Sequence, residues 1–247
     1  MKAAFDHMRW ENDAQTIATF FFRPASRYRY EAGQYAVISV PHTRPDARGI
    51  ERTMTLSSSP NDDLLSMTMR IFRRRSSTFK SALLALQPGD EVTIYDSMGD
   101  LVLPLDASVP LVFIAGGVGI ASYVGIMKWL LQQGERRSVT LHYAVAQTED
   151  IVIQKPFDKY AAFSHLTKTI YCSGYTPDFN SAHAFTVRVL QRRMTAADIV
   201  PTLQPEALIY ISGTEKMVED ILHQLEAAGV QRRRVVFDYF DGYSSEL

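Results

Sequence analysis

The chain has 247 residues, with 26 Lys and Arg against 27 Asp and Glu and a formal net charge of −1. Its 46% hydrophobic and 21% charged residues are typical of a folded globular protein and exclude a disordered or collagen-like chain. The balanced charge also removes the electrostatic case for binding nucleic acid, which needs a clustered basic surface. The single cysteine, Cys172, excludes an intrachain disulfide and any zinc or iron–sulfur site that needs several thiolates of this chain. Redox chemistry would therefore require a bound organic cofactor or a partner.

One uncharged stretch, 109–127, approaches the length of about 18 residues that indicates a transmembrane helix. A proline opens it, and a glycine-rich turn follows its compact apolar run at 111–115. The pattern favours a buried strand, a tight turn and a helix over a membrane span. Because the N-terminus also lacks the apolar core of a signal peptide, we expect a cytoplasmic location.

Up to about Asp106, short alternating β-type stretches are separated by turn residues. The predicted strands cover 34–40, 65–71 and 91–95, and a short helix is predicted over 78–86. Turn chemistry is present at 87–90 and 97–100. Several short strands joined by turns indicate an antiparallel barrel or sandwich, and we predict a Greek-key barrel for residues 1–106.

After Asp106 the pattern changes to buried strands that alternate with helical segments. The predicted strands cover 111–115, 139–145, 167–171, 207–211 and 234–237. The clearest helix covers 215–225, and Gly229 stands where a C-terminal cap belongs. This alternation predicts a doubly wound parallel sheet for residues 107–247.

A glycine-rich segment, 114–122, joins the first of these strands to its helix. A ligand at the carboxyl end of such a strand meets free backbone N–H groups, and glycines let the backbone approach a pyrophosphate closely. A tight turn without a ligand is the alternative explanation. The usual dinucleotide fingerprint is incomplete, because Ser122 takes its last position and the acidic residue expected at the end of the second strand is missing.

The first half holds the stronger indication, the segment Arg52-Thr53-Met54-Thr55. On a strand, the Arg52 guanidinium and Met54 face one side, and the Thr55 hydroxyl faces the other. Further on, the run 73–79 presents three arginines, several hydroxyls and N–H groups at a predicted helix start. The two segments together could hold a diphosphate. For the arginines Arg73 to Arg75, a solvated surface turn is the alternative.

With these segments in order, nearly the whole chain resembles the ferredoxin–NADP reductase-like flavoproteins. The family's P-G-Q-[FY] and R-x-[YF]-[ST] motifs are matched by Ala32–Tyr35 and Arg52–Thr55. Its G-x-x-S-x-[FY] phosphate motif is matched at Ser77 and Phe79, although Arg74 replaces the glycine. Its nicotinamide loop and its C-G-P-x-x-M motif resemble the segments 116–121 and 212–217 of this chain.

The resemblance implies FAD as a bound cofactor and NAD(P)H as co-substrate. Arg52 would grip the FAD pyrophosphate, and Thr55 would form a hydrogen bond near flavin N5, where hydride arrives. Further FAD contacts are implied for Met54, Met69, Arg70, Ile71, Ser76, Ser77 and Thr78, of which 69–71 would act through their backbone. Nicotinamide-nucleotide contacts are implied for Gly116, Gly117, Val118, Gly119, Ile120, Ser212, Gly213, Thr214 and Met217.

Several residues depart from the family pattern. Met54 replaces an aromatic residue expected against the flavin, and it either contacts the ring through its thioether or belongs to the core. Ser212 replaces the cysteine often found beside the nicotinamide, and Ser122 and Thr214 replace two prolines. We still expect Ser212 to act in catalysis beside Thr55. Phe240 is the candidate for a terminal aromatic that covers the flavin, with packing between the domains as the alternative.

The preference between NADH and NADPH is poorly determined by the sequence. The segment 147–150 is acidic, and Phe185 stands where relatives often carry an arginine that grips the 2′-phosphate. Arg188, Arg192 and Arg193 lie nearby, and they either bind the phosphate or form a solvated helix face. We expect a slight preference for NADH.

The leading functional hypothesis is an FAD-dependent reductase that passes electrons from NAD(P)H to a separate acceptor. The acceptor would be a ferredoxin, free flavin, a haem protein or a membrane partner. The substitutions at Ser122, Ser212 and Thr214 keep a second hypothesis open, a flavin-bearing electron-transfer subunit or interaction module with little nicotinamide turnover of its own. A third is a protein of the same architecture that binds another nucleotide and no flavin.

Overall fold

The computed structural model describes residues 1–72, 76–152, 155–174 and 187–240. Two six-stranded sheets, built from consecutive parts of the chain, organise these residues. The first sheet contains β1 (Lys2–Trp10), β2 (Ile17–Pro24), β3 (Tyr35–Ser39), β4 (Glu51–Thr55), β5 (Leu65–Arg70) and β6 (Glu91–Met98). One helix, α1 (Thr78–Ala85), lies between β5 and β6.

The first sheet is antiparallel, with the strand order β4-β3-β6-β1-β2-β5. A bridge between Leu56 and Met67 joins the two edges of the sheet and closes it into a barrel. Its interior is filled by apolar side chains of alternating strand positions, among them Phe5, Phe20 and Ile38. The predicted antiparallel barrel is therefore confirmed.

The second sheet contains β7 (Leu111–Gly116), β8 (Val139–Val145), β9 (Leu166–Cys172), β10 (Val187–Leu190), β11 (Leu208–Thr214) and β12 (Val235–Phe240). Its helices are α2 (Ile120–Gln133), α3 (Lys155–Phe163), α4 (Ala196–Ile199) and α5 (Glu215–Ala227). Apolar clusters cover both faces of the sheet, as a parallel sheet requires.

All strands of this second sheet are parallel, in the order β10-β9-β8-β7-β11-β12. From β7 the chain first adds strands on one side and then crosses to the other side at β11. The predicted doubly wound sheet is confirmed. In open sheets of this kind, ligands bind beyond the carboxyl ends of the strands at such a crossover, so the ends of β7 and β11 form the expected site.

The uncharged stretch 109–127 forms β7, a tight turn at Gly117–Gly119 and the first half of α2. This is the strand, turn and helix that the sequence predicts. Within the described ranges, no helix combines the length and apolar character needed to cross a membrane. The expected cytoplasmic location stays a prediction.

Local differences concern the ends of elements. β6 continues to Met98, although turn chemistry is predicted from residue 97, and the chain turns at Gly99 with a φ of +108°. Gly229 adopts a φ of +85° just after α5, which confirms the predicted cap. β1, β2 and the short edge strand β10 lie outside the strands predicted from sequence.

The two sheets pack against each other through α2 and the segment that connects them. A Cβ added to Gly125 of α2 would lie 2.7 Å from the Ser58 carbonyl oxygen of the first half, so the two backbones approach closely there. Arg137, only 3% exposed, donates to the carbonyl oxygens of Pro104 and Asp106 at 2.9 and 3.0 Å. The predicted domain boundary at residue 106 falls in this connecting segment and stays a prediction.

Candidate functional site

Thr55 ends β4 with a buried hydroxyl that has no hydrogen-bond partner within the described part of the chain. The neighbouring hydroxyls are satisfied: Ser57 Oγ lies 3.0 Å from Ser66 Oγ and from Thr68 Oγ1, and Ser58 Oγ lies 2.7 Å from the Tyr30 hydroxyl. An unsatisfied buried polar group costs about 1–3 kcal/mol, so such a group needs an explanation. An external hydrogen-bonding ligand at Thr55 supplies one.

The predicted flavin contacts at 69–71 lie at the end of β5, an edge strand of the barrel. The Met69 and Ile71 side chains are buried in the barrel core, so they are available to a ligand through their backbone. The Ile71 N–H donates to the Thr16 carbonyl oxygen at 2.7 Å. The unpaired main-chain N–H and C=O groups of an edge strand can form hydrogen bonds with a planar ring, as they would with another strand. Met54 is half-buried and packs against the same core, which fits the plainer of its two interpretations.

The Arg70 side chain connects the two halves of the protein. Its Nη2 lies 2.9 Å from Asp150 Oδ2, and the two side chains are 20% and 8% exposed. The Asn12 side chain adds a bond across the same junction, because its Nδ2 donates to the Glu149 carbonyl oxygen at 2.9 Å. Arg70 therefore ties the end of β5 to the loop after β8, in addition to its predicted backbone role.

The residues predicted to hold a diphosphate converge around the start of α1. Arg52 lies over the Phe79 ring at 5.1 Å, and Ser77 caps the helix by accepting a hydrogen bond from the Lys80 N–H at 3.3 Å. Thr78 Oγ1 accepts from the Asp46 N–H at 2.9 Å. The Ser76 hydroxyl donates to the Phe72 carbonyl oxygen at 2.6 Å. The arginine run 73–75 lies outside the described residues.

One residue that the sequence analysis missed, Asp46, lies inside this group. Both of its carboxylate oxygens accept from Arg52 Nη2, at 2.7 and 2.8 Å. Although burial opposes it, the hydrogen bonds from Arg52 and from the Arg48 N–H hold the pKa of Asp46 below its ordinary value. A carboxylate in a polar loop carries no sequence signal that could have singled it out.

The glycine turn after β7 has two kinds of glycine. A Cβ on Gly119 would lie 2.2 Å from the Ser212 carbonyl oxygen, so packing against the backbone of β11 requires a glycine there. A Cβ on Gly116 would lie 2.1 Å from Met217 Sδ, so the flexible Met217 side chain would have to move. Gly117 has a φ of +52° and open space where its Cβ would be. The neighbours Val118 and Ile120 pack into the core, and Cα atoms of the turn approach those of β5 within 8 Å.

The second nicotinamide segment, Ser212–Thr214, ends β11 directly beside this turn. Ser212 is fully buried, and its Oγ lies 3.3 Å from Ser122 Oγ on α2. Gly213 packs against Met217, where an added Cβ would lie 3.0 Å from the sulfur. Thr214 is paired in register with Phe240, the last described residue, so the backbone at both positions lies at the same edge of the sheet. The catalytic roles of Ser212 and Phe240 stay predictions.

The arginines expected near a 2′-phosphate are not on a helix. Arg188 lies in β10, and Arg192 and Arg193 lie in the bend that follows it. Arg192 forms hydrogen bonds with both carboxylate oxygens of Asp198, and these bonds lower the pKa of Asp198 to about 2. The helix-face alternative is therefore wrong, and Arg192 forms an ion pair with Asp198 while half of its side chain stays exposed. Phe185 lies outside the described residues.

The residues present fit FAD and a nicotinamide nucleotide. The unsatisfied Thr55 hydroxyl and the edge of β5 suit a flavin ring, and the open side of Gly117 at the sheet crossover suits a dinucleotide backbone. The exception is Arg52, whose terminal nitrogens are already engaged.

Comparison with known proteins identifies relatives of this arrangement. Residues 113–223 match the family described as "Oxidoreductase NAD-binding domain". The chain is 23% identical to the reductase component of propane 2-monooxygenase from Rhodococcus jostii, over 86% of this chain and 56% of that protein. It is also 23% identical to the toluate 1,2-dioxygenase electron transfer component of Pseudomonas putida, over 97% of this chain and 67% of that protein.

A solved structure shows the same fold along nearly the whole chain. It is the flavohaem-like FAD/NAD-binding domain of nitric oxide dioxygenase from Vibrio cholerae O1 biovar El Tor, with a TM-score of 0.78 and 20% identity. The match covers 97% of this chain and 98% of that one. The chain therefore matches nearly the full length of that domain, but only 56% of the length of the first relative above.

Proposed function

We propose that this chain is a member of the ferredoxin–NADP reductase-like superfamily that binds FAD, takes hydride from NAD(P)H and passes electrons to a separate acceptor. The observation that carries the proposal is the buried Thr55 hydroxyl at the end of β4, which has no hydrogen-bond partner among the residues that the structure describes. The two-sheet fold, the glycine turn and the match of residues 113–223 to an NAD-binding family support the same conclusion.

The chemistry would come from the bound flavin, which accepts a hydride and can release electrons one at a time. The contribution of this chain is to hold and orient the reactants. Thr55 would offer its hydroxyl to the flavin ring, and the edge of β5 at 69–71 would hold the ring's pyrimidine end. The turn at Gly117 would hold the nicotinamide nucleotide against that edge. Orientation of two bound reactants is a large source of rate acceleration without any acid or base.

We further propose that the acceptor is an oxygenase or haem-protein partner. The relatives named above are a reductase component of a monooxygenase and an electron transfer component of a dioxygenase. The one cysteine of this chain, Cys172, is 1% exposed, and its Sγ donates to the Gly174 carbonyl oxygen. It cannot supply the set of thiolates that an iron–sulfur outlet needs, so the electrons would leave this chain from the flavin itself.

NADH is the proposed coenzyme. Arg192 is paired with Asp198, and the loop after β8 presents the exposed Glu149 near the end of the strand. A carboxylate there repels a 2′-phosphate and suits ribose hydroxyls. We expect a higher kcat/KM with NADH than with NADPH, and the reverse order would remove this part of the proposal.

One observation favours a second candidate, an electron-transfer subunit with little nicotinamide turnover. The Ser212 hydroxyl is buried and shares a hydrogen bond with Ser122, so it is directed to an internal partner. In this case FAD would still bind, but NADH would reduce it slowly.

Flavin absorbance and anaerobic titration with NADH distinguish these functions. A yellow protein that bleaches at stoichiometric NADH supports the reductase, and a yellow protein that does not bleach supports the electron-transfer subunit. A colourless protein that cannot be reconstituted with FAD contradicts both and supports a binder of another nucleotide.

The role of Thr55 is tested by stopped-flow reduction of the FAD-loaded protein. Thr55→Ala should slow reduction by roughly tenfold to a hundredfold, because one hydrogen bond near the reacting atom is worth about 1.4–3 kcal/mol there. Thr55→Ser should retain most of the rate. Thr53→Ala is the matched control, since Thr53 is exposed on the same strand. Equal rates for Thr55→Ala and the control would overturn the assignment.

A further inference from the structure

Asp46 occupies the centre of the group that is proposed to hold the FAD diphosphate. Its two carboxylate oxygens accept from Arg52 Nη2 at 2.7 and 2.8 Å, and its N–H donates to Thr78 Oγ1 at 2.9 Å. The Arg48 N–H donates to Asp46 Oδ1 at 2.9 Å, so the surrounding loop holds the carboxylate in place. An anionic group therefore already lies between Arg52 and the start of α1.

The donors of Arg52 are heavily used in this arrangement. Nη1 donates to the carbonyl oxygens of Arg48, Gly49 and Glu51 at 3.0, 3.0 and 2.6 Å, and Nη2 donates to Asp46. The Arg52 and Asp46 side chains are only 14% and 27% exposed, so water weakens their attraction less than on an open surface. A diphosphate placed beside this pair would meet a like charge and an arginine whose terminal nitrogens are engaged.

Resting on the FAD-binding function proposed above, we propose that Asp46 competes with the diphosphate of FAD for Arg52 and thereby lowers the affinity of the protein for its cofactor. Binding of FAD exchanges one anion for another on Arg52 Nη2. The Asp46 carboxylate moves out to solvent, while the backbone carbonyl oxygens at Nη1 keep the guanidinium beside Phe79.

The exchange would use the same kind of hydrogen bond that joins Arg52 to Asp46. A guanidinium binds carboxylate and phosphate oxygens with the same donors, so the two ligands exclude each other at one nitrogen. Asp46 would therefore lower the affinity for FAD, whereas Thr55 would form a hydrogen bond with the flavin. The alternative is that Asp46 only orients Arg52, in which case its removal would weaken FAD binding.

Titration of the FAD-free protein with FAD, followed by flavin fluorescence, tests the proposal. Asp46→Asn should lower the Kd for FAD by about tenfold, since a charge-assisted hydrogen bond that opposes binding is removed. Asp46→Ala should act in the same direction. The matched control is Glu51→Gln, which removes the same charge from the same segment; the Glu51 carboxylate accepts from the Tyr95 hydroxyl at 2.7 Å and does not contact Arg52. The control should change Kd by less than twofold.

A double-mutant cycle makes the test specific. In an Arg52→Gln background, Asp46→Asn should leave the FAD Kd within about twofold, because the contested donor is gone. Thermal unfolding of each FAD-free variant checks that it is folded, and the shift in melting temperature on adding FAD gives a second measure of affinity. A larger FAD-induced shift for Asp46→Asn than for the unmodified chain is expected.

The outcomes separate this inference from the proposed function. If the unmodified chain and Asp46→Asn bind FAD equally well, or if Asp46→Asn binds it more weakly, competition by Asp46 is wrong while FAD binding stands. If neither protein binds FAD in the fluorescence and thermal measurements, the proposed function fails and the competition fails with it.

Discussion

The two halves of the molecule build their parts of the site in opposite ways. In the first half, polar side chains form the expected site: the Thr55 hydroxyl is buried without a partner among the described residues, and Arg52 and Thr78 lie at the start of α1, where both contact Asp46. In the second half, the site is formed by the backbone of three glycines: an added Cβ would clash at Gly116 and Gly119 and would meet open space at Gly117. A site of side chains can be tuned by substitution, whereas a packed glycine such as Gly119 leaves no room for a larger residue.

This difference predicts different responses to mutation. In the first half, single substitutions should change affinity or rate and leave the fold intact, since each side chain there makes a few local contacts. In the second half, a methyl group added at Gly119 should disturb the packing of the glycine turn against β11 before it affects the ligand. The following predictions test this contrast, and the junction that both halves share.

The largest effect is expected at the junction itself. Arg137→Met should lower the free energy of unfolding by about 3–5 kcal/mol, because it removes the buried donors to Pro104 and Asp106 and leaves Glu135 without its partner. Urea unfolding measures the change. Arg136→Met is the control, since Arg136 contacts the Phe163 ring at 4.5 Å and lies outside the junction. Similar losses for the two variants would show that Arg137 does not tie the halves together.

Gly119→Ala should be the most damaging methyl addition in the glycine turn. Its Cβ would lie 2.2 Å from the Ser212 carbonyl oxygen, which belongs to the backbone of β11 and cannot move alone. We expect a loss of about 2–3 kcal/mol in stability. We also expect FAD reduction by NADH to slow by at least tenfold as the turn shifts. A stable protein with an unchanged reduction rate would contradict the view that this turn is closely packed.

Acidification should destabilise the second half through a buried histidine that is not among the predicted FAD or nicotinamide contacts. Burial lowers the pKa of His142 on β8 to about 4, from an ordinary value of 6.5. The ring lies 2.9 Å from the Tyr171 hydroxyl and 3.0 Å from Thr202 Oγ1, and both contacts suit the neutral form. Between these two pKa values, the His142 ring therefore binds a proton in the unfolded chain and not in the folded chain. The free energy of unfolding should therefore fall by roughly 2 kcal/mol between pH 7 and pH 5.

Urea unfolding at these two pH values measures this loss. The window lies above the range in which Asp198, with a pKa of about 2, takes up its proton. His142→Gln should flatten the dependence, whereas His223→Gln, at an exposed position on α5, should leave it as it is. Equal slopes for the unmodified chain and His142→Gln would remove this histidine as the cause.

The smallest stability effect should come from a matched pair of glycines with positive φ. Gly117 and Gly134 have φ values of +52° and +65°, and an added Cβ meets nothing within 4 Å at either position. An alanine at either should cost about 1–2 kcal/mol of backbone strain. Only Gly117→Ala should also raise the KM for NADH, because only that methyl group enters the proposed nucleotide site. Equal KM values for the two variants would place the nucleotide elsewhere.

The two-part organisation could be predicted because its signals are local. The change from alternating strands to buried strands and amphipathic helices lies in the period of the sequence, and α5 was predicted from such a period. The glycines of the turn were predicted to matter from their place after a buried strand. The short strand β10 was not predicted, because these four residues at the edge of the sheet owe their structure to pairing with β9.

The partners of the site residues could not be predicted in the same way. Ser122 and Ser212 are 90 residues apart in sequence and share one hydrogen bond. Arg52 was expected to be available to a diphosphate, but the structure places Asp46 on it. Arg192 was considered for a phosphate, and the structure pairs it with Asp198. In each case a polar side chain has several chemically equivalent partners, and only the folded arrangement selects one.

A barrel followed by a parallel sheet, and the segments that lie at the crossover of that sheet, could be predicted from the sequence alone. Hydrophobic period, turn residues and glycine positions carry this information, because they act on neighbouring residues. The burial of the Thr55 hydroxyl without a partner among the described residues, and the binding of Asp46 to Arg52, were visible only in the folded structure. Those facts depend on which distant segments the fold brings within hydrogen-bond reach, and so on packing that no local pattern encodes.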